Sequence, residues 1–354
     1  MNAIKIAQIG CGHPHSASHF GTFNALKEVG AIVLCDPDKA VAEKLREKAP
    51  DRVEAVMDNL DAVLARADVR FVNICLPNDE TPAVIAQAAR AGKHILCEKP
   101  CAVSAAALEP ALDEVARAKV GFLVHYTNRY RPDIGEMVQL IRGGTIGRLT
   151  SVEMRMVTTQ PKFRDPKHWL FKRARTGGGI LAWLACHYMD LARVLTGAEV
   201  SSVTAQCATT SGEAIDVEDT AVCGFRFSNG ALGSLHAGYL LARGRAGYIM
   251  PGYDACIAVR GTEGALVLEP YHSPQDSLLH ISTTKQVRDA TFQTVKGEGY
   301  GGEYGQAFVR DFINAALRGA PSPAGPDAAM AVRRILDACY ASSDTGTTVS
   351  VSKP

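Results

Sequence analysis

The sequence predicts an α/β protein: an N-terminal doubly wound (Rossmann) parallel sheet, then an α+β domain with a large, open, mostly antiparallel sheet. Three observations carry this. The 354 residues exceed the span one hydrophobic core usually organises, about 250 to 300 residues. Residues 1–125 alternate short apolar runs with amphipathic segments, as a parallel sheet covered by helices requires. Residues 126–354 change to long alternating segments with glycine turns and end in two helices.

Taken in order, strands are predicted over Ile4–Ile9, Ala31–Cys35, Val53–Val56, Val69–Leu76, His94–Cys97 and Val120–His125. A helix follows the first strand, and further helices over Ala40–Lys48, Thr81–Ala91 and Ser104–Ala118 are rich in Ala, Leu and charged residues. Ser104 is placed to cap the last of these and Gly92 to stop the one before it. Beyond Pro132, a helix over Ile134–Arg142 leads to strands Leu149–Val157, Ser202–Thr210, Thr220–Phe227 and Gly230–Tyr239, with Ser228-Asn229-Gly230 as a hairpin turn. Helices over Tyr304–Arg318 and Asp327–Ala341 flank a proline-rich turn and are expected to pack back on the body.

Composition narrows the partners. Lys plus Arg number 38 against 37 for Asp plus Glu, so no global field draws in nucleic acid or an anionic membrane, and a small substrate is expected. The N-terminus runs directly into a strand-like segment and no apolar run approaches membrane-spanning length, which predicts a cytoplasmic protein. Ten cysteines occur without any Cys-x-x-Cys pair, and Cys35, Cys75 and Cys97 end predicted strands; they read as buried, reduced thiols.

The chemistry begins at Gly10-Cys11-Gly12-His13-Pro14-His15, between the first strand and its helix. Glycines there permit a tight turn and close approach of a pyrophosphate, which the exposed N–H groups and dipole of the helix start then hold. The third glycine of the dinucleotide fingerprint is His15 here. Asp36 stands at the end of the second strand, where a carboxylate accepts hydrogen bonds from ribose hydroxyls and repels a 2′-phosphate; NAD is expected over NADP. His13, His15 and His19 invite a metal reading, since His15 and His19 share a helix face. No Cys or acidic residue accompanies them in the sequence, so His13 and His15 are read as polar contacts to cofactor or substrate, with no metal.

The run His94-Ile95-Leu96-Cys97-Glu98-Lys99-Pro100, after a strand ending in Leu76-Pro77-Asn78, resembles the glucose-fructose oxidoreductase and inositol dehydrogenase (Gfo/Idh/MocA) family. Asn128-Arg129, Gly177-Gly178-Gly179, His187 with Asp190, Glu218-Asp219-Thr220 and Gly261-Thr262-Glu263-Gly264 extend the resemblance over nearly the whole chain. It implies oxidation of a secondary alcohol of a sugar, polyol or inositol, in a homodimer or homotetramer formed through the C-terminal sheet. Lys99 would be the acid/base and His187 its assistant. Leu76, Pro77, Asn78 and Glu98 would line the cofactor site, and Asn128, Arg129 and Asp190 the substrate site.

A lysine suits that role because hydride leaves a carbinol carbon readily only if the hydroxyl proton leaves with it. One departure is sharp: the family usually reads Asp-x-Gly-x-His where this chain has Trp183-Leu184-Ala185-Cys186-His187. Trp183 is either a flat wall for a sugar ring or a core residue. The segment 161–175 carries six basic residues against Asp165 and reads either as a solvated face or as a lid with His168 and Trp169 turned inward. Besides a dehydrogenase, the residues admit NAD-assisted glycoside cleavage or a dinucleotide-binding regulator without catalysis.

Overall fold

The apolar runs at the start of the chain are buried on both sheet faces, which is why they read as nearly continuous hydrophobic stretches. The computed structural model describes residues 3–242, 253–273, 276–293 and 296–351. Two compact units are formed: residues 1–127 with 296–330, and residues 128–295 with 331–354.

In the first unit β1 (Ile4–Ile9), β2 (Val29–Cys35), β3 (Val53–Met57), β4 (Val69–Ile74), β5 (His94–Cys97) and β6 (Phe122–Val124) form a parallel sheet in the order β3-β2-β1-β4-β5-β6. Helices α1 (Ser16–Ala25), α2 (Lys39–Arg46), α3 (Leu60–Leu64), α4 (Thr81–Arg90) and α5 (Ala105–Ala118) alternate with the strands. Local chemistry sets their ends. Asp38, Asn59 and Ser104 cap α2, α3 and α5 by accepting from the backbone N–H of Ala40, Ala62 and Ala107. Gly92 follows α4 with φ +71°, a conformation that favours glycine.

The strand order reverses between β1 and β4, so the carboxyl ends of those strands are where an open α/β sheet binds its ligand. The prediction carries β4 to Leu76, whereas the strand ends at Ile74 and residues 75–80 turn toward α4, where the Thr81 hydroxyl donates to the carbonyls of Leu76 and Pro77. The helix Gly302–Arg318 belongs to this unit and buries Phe308 and Phe312 completely, the latter edge-on to Phe71 of β4.

In the second unit α6 (Pro132–Arg142) precedes β7 (Leu149–Thr159), then α7 (Arg173–Thr176), a π-helical turn Leu181–Ala185 and α8 (Cys186–Thr196). The sheet continues with β8 (Val200–Ala208), β9 (Thr220–Phe227), β10 (Leu232–Leu241), β11 (Tyr253–Gly261), β12 (Gly264–Glu269), β13 (Asp276–Thr283), β14 (Val287–Gln293) and the short β15 (Val349–Ser350). The order is β14-β13-β12-β11-β7-β10-β9-β8-β15, and among these pairs only β7 with β10 is parallel. Strand β7 shows the alternation that makes one face core: Val152, Met154 and Met156 are buried while Glu153 and Arg155 face outward. The hairpin turn holds as the sequence implies, with Gly230 at φ +88° and Asn229 Oδ1 accepting from Ala231 N–H. None of the ten cysteines is joined in a disulfide, and no helix of the described residues is long and apolar enough to cross a membrane.

Candidate functional site

Strand β1 delivers Gly10 to a turn with φ +83°, where a Cβ would lie 2.1 Å from the carbonyl oxygen of Cys75 at the exit of β4. Gly10 is thus required by the close approach of two strand ends. Gly12 has room, the nearest side chain to a Cβ being Val41 at 3.6 Å, so the turn leaves its outer side open to a ligand. Ser16, the first residue of α1, donates its hydroxyl to the Gly10 carbonyl at 2.7 Å and fixes the helix start to the turn.

Asp36 leaves β2 half-buried, with Oδ2 accepting from Cys11 N–H at 2.7 Å and Oδ1 from Asp38 N–H at 3.0 Å. Two backbone donors fix the carboxylate, and each oxygen keeps a lone pair for a ribose hydroxyl. Leu76 lies against Gly10, and Asn78 is buried beside it in sequence. A glycine turn, an open helix start and a fixed carboxylate at the end of β2 fit an NAD molecule.

Glu98 and Lys99 leave β5 almost wholly buried, at 2% and 1% exposure, and the Lys99–Pro100 peptide is cis. The acidic neighbour that the sequence does not show beside the histidines is Glu98. His15 Nδ1 lies 3.2 Å from Glu98 Oε2, His19 Nε2 lies 2.5 Å from Glu98 Oε1, and Lys99 Nζ lies 4.0 Å from Oε2. Burial alone would raise the Glu98 carboxyl, but attraction to and hydrogen bonds from His15 and His19 hold it well below the usual range. Burial lowers His15 to about 4 and His13 well below the ordinary histidine value, against the pull of Glu98. At neutral pH these are an anionic carboxylate and neutral imidazoles. His15, His19 and Glu98 are also the set, among the described residues, whose ligand atoms lie close enough to hold a metal ion, all within 4.8 Å of one another.

A second layer supports the histidines. His19 lies 4.0 Å from the ring of His125 and 4.6 Å from that of Tyr300, both at shallow angles. His125 Nε2 in turn lies 2.9 Å from Asn73 Oδ1. Neither His125 nor Tyr300 stands out in the sequence. Tyr300 in particular returns to this unit from a distant segment, and no local pattern marks it.

In the second unit Trp183 lies in the π-helical turn, 5% exposed, with its ring 6.3 Å from that of Trp169 and at 88° to it. These are the chain's two tryptophans, and they form an aromatic corner whose outer edge is the ring of His168, 5.4 Å from Trp169. Within the basic segment, Lys162, Lys167, Lys172 and Arg173 are exposed, while Arg164 lies over the ring of Tyr239. His187 is buried on α8, and Asp190, one turn on, accepts both hydrogen bonds of a fork from Arg129 at 2.7 and 2.5 Å. Asn128 precedes Arg129 in a 3₁₀ turn, Thr127–Tyr130.

The triple glycine acquires a reason that spacing alone does not give. A Cβ at Gly178 would collide with the Tyr340 hydroxyl, and one at Gly179 would lie 2.0 Å from the Glu218 carbonyl oxygen. Glu218 occupies the helix start: Oε2 accepts from Gly179 N–H at 2.7 Å, and Oε1 from Leu181 N–H and Tyr340 Oη, both at 3.0 Å.

Comparison with known proteins agrees with this geometry. Residues 4–126 match the oxidoreductase family with an NAD-binding Rossmann fold, and residues 134–267 the GFO/IDH/MocA C-terminal domain. The inositol 2-dehydrogenase of Rhizobium meliloti is 30% identical over 348 residues, covering 96% of each chain. The levoglucosan dehydrogenase of Pseudarthrobacter phenanthrenivorans is 30% identical over 259 residues, which span 66% of this chain and 63% of that protein. A solved levoglucosan dehydrogenase in complex with NADH superposes with a TM-score of 0.88 at 24% identity, over the full length of both chains. The chain belongs to the Gfo/Idh/MocA family and is an NAD-binding oxidoreductase.

Proposed function

We propose that the protein oxidises a secondary alcohol of a sugar, polyol or inositol-like substrate, with Lys99 as the group that takes the hydroxyl proton. NAD, when bound at the Gly10–Gly12 turn, would supply the hydride acceptor for the carbinol carbon. The observation that carries the reading is a lysine held in a buried loop beside an anionic carboxylate, on the strand end next to the switch point where the dinucleotide turn lies. When Lys99 gains the proton, the Glu98 carboxylate 4.0 Å away meets the charge. The names of the relatives, an inositol dehydrogenase and a levoglucosan dehydrogenase, support a carbohydrate or cyclitol substrate.

His187 hydrogen-bonds the reacting oxygen in this reading, and Asn128 and His168 contact other substrate hydroxyls. The Arg129–Asp190 fork ties α8, which carries His187, to the 3₁₀ turn that carries Arg129. The Trp183–Trp169 corner offers indole faces to the C–H face of a ring, in place of the family's aspartate. Ten cysteines outside any disulfide suit a reducing, cytoplasmic setting.

NADH formation over a panel of sugars, inositols and sugar acids tests the proposal. At least one polyol is expected to turn over, and Lys99→Ala to lower kcat by about a hundredfold or more while NAD binding persists. Full kcat in Lys99→Ala would overturn the assignment. Substrate consumption without net NADH would replace it with NAD-regenerating cleavage, which the loss of the family aspartate at Trp183 makes worth measuring.

A further inference from the structure

We propose that His15, standing where the dinucleotide fingerprint has its third glycine, acts with His19 to clamp the Glu98 carboxylate and so hold Lys99 in its working position. The inference rests on the reading of Lys99 given above and deepens it: His15, His19 and Glu98 are positioning residues for that lysine.

A carboxylate that is 98% buried must be hydrogen-bonded or its burial is prohibitively costly. Each Glu98 oxygen meets one imidazole, Oε2 meeting His15 Nδ1 at 3.2 Å and Oε1 meeting His19 Nε2 at 2.5 Å. The oxygen that His15 holds is the one nearest Lys99 Nζ, at 4.0 Å. A glycine at residue 15 would therefore leave the oxygen that faces the lysine without the imidazole that lies 3.2 Å from it. The replacement of the fingerprint glycine is then a functional substitution and not a decayed motif.

Both histidines belong to the start of α1, one as its N-cap residue and one a turn on, and that helix rises from the dinucleotide turn. The donors are themselves fixed. His19 is bracketed by His125 and Tyr300, and the His15 ring lies 5.1 Å from Tyr300 and 5.3 Å from His13. The titratable groups around Glu98 are His13, His15, His19, Lys99, Cys75 and Cys97.

A double-mutant cycle on His15→Gly, which restores the fingerprint, and Glu98→Gln tests the clamp with NAD and the best polyol substrate. Each single variant is expected to lose about ten- to a hundredfold in kcat with KM for NAD changed by less than about threefold, since a misplaced reacting group costs turnover and not binding. The double variant should be no worse than the poorer single one. His15→Gln, which keeps an N–H donor, should recover most of kcat. A raised KM for NAD with kcat intact would make His15 a cofactor contact, and multiplying losses would make the two sites independent; either overturns the proposal.

A crystal structure of His15→Gly gives a readout without turnover. Lys99 Nζ is expected to move away from Glu98, and an unmoved lysine refutes the clamp. Lys99→Ala in parallel separates the two ideas: an active Lys99→Ala removes the catalytic reading, whereas an inactive one with an uncoupled His15–Glu98 cycle removes only the clamp.

Discussion

At the scale of single residues, the first unit stores an acid sensitivity in its buried histidines. Burial lowers His15 from the ordinary value of 6.5 to about 4 in the folded protein. The unfolded chain therefore takes up a proton that the native state resists, and stability present above pH 6.5 is lost as pH falls toward 4. For His15 alone the full loss is on the order of 3 kcal/mol; His13, shifted in the same direction, adds to it. Urea midpoints measured between pH 7 and pH 4.5 should fall steeply, and His15→Gln should flatten the slope. An unchanged slope would mean that His15 is not buried as a neutral ring.

At the scale of elements, the start of the π-helical turn depends on one carboxylate. Burial raises the Glu218 carboxyl, opposed by hydrogen bonds from Gly179, Leu181 and Tyr340. Glu218→Ala would leave two backbone N–H groups and a hydroxyl buried without an acceptor, costing roughly 3 to 6 kcal/mol at one to two per lost partner. Tyr340→Phe removes a single hydrogen bond and should cost about 1 kcal/mol. Chemical denaturation distinguishes the two, and equal small losses would show that the helix start is held by packing instead. The triple glycine follows the same logic: Gly178 and Gly179 leave room for Tyr340 and Glu218, and alanine at either position meets backbone or a tyrosine ring.

At the scale of the molecule, the nine-stranded sheet leaves apolar groups on its outer face. Val222 of β9 is 54% exposed and Leu232 of β10 is 51% exposed, beside outward polar residues. If copies assemble through this sheet, as proposed from the family resemblance, Val222→Asp with Leu232→Asp should reduce the mass seen by light scattering to that of a monomer. An unchanged mass would place the interface elsewhere.

The sequence by itself determined the class of fold, the glycine turn at Gly10 and Gly12, the carboxylate at Asp36 and the tripeptide holding Lys99. Each is a short-range property: strand periodicity, a residue that tolerates φ +83°, a side chain at a strand end. Only the tertiary structure decided what surrounds them. Glu98 meets His19 across 79 residues of chain, Tyr340 meets Glu218 across 122, and Tyr300 reaches the same histidines from a segment beyond the second sheet. The parallel pairing of β7 with β10 is equally invisible to local alternation, which fixes which face of a strand is buried but not its neighbour. The physical reason is common to all of these: a turn or a strand is specified within a few residues, whereas the partner of a buried charge is chosen by topology, and it is that partner which turns a lysine after a strand into a candidate base.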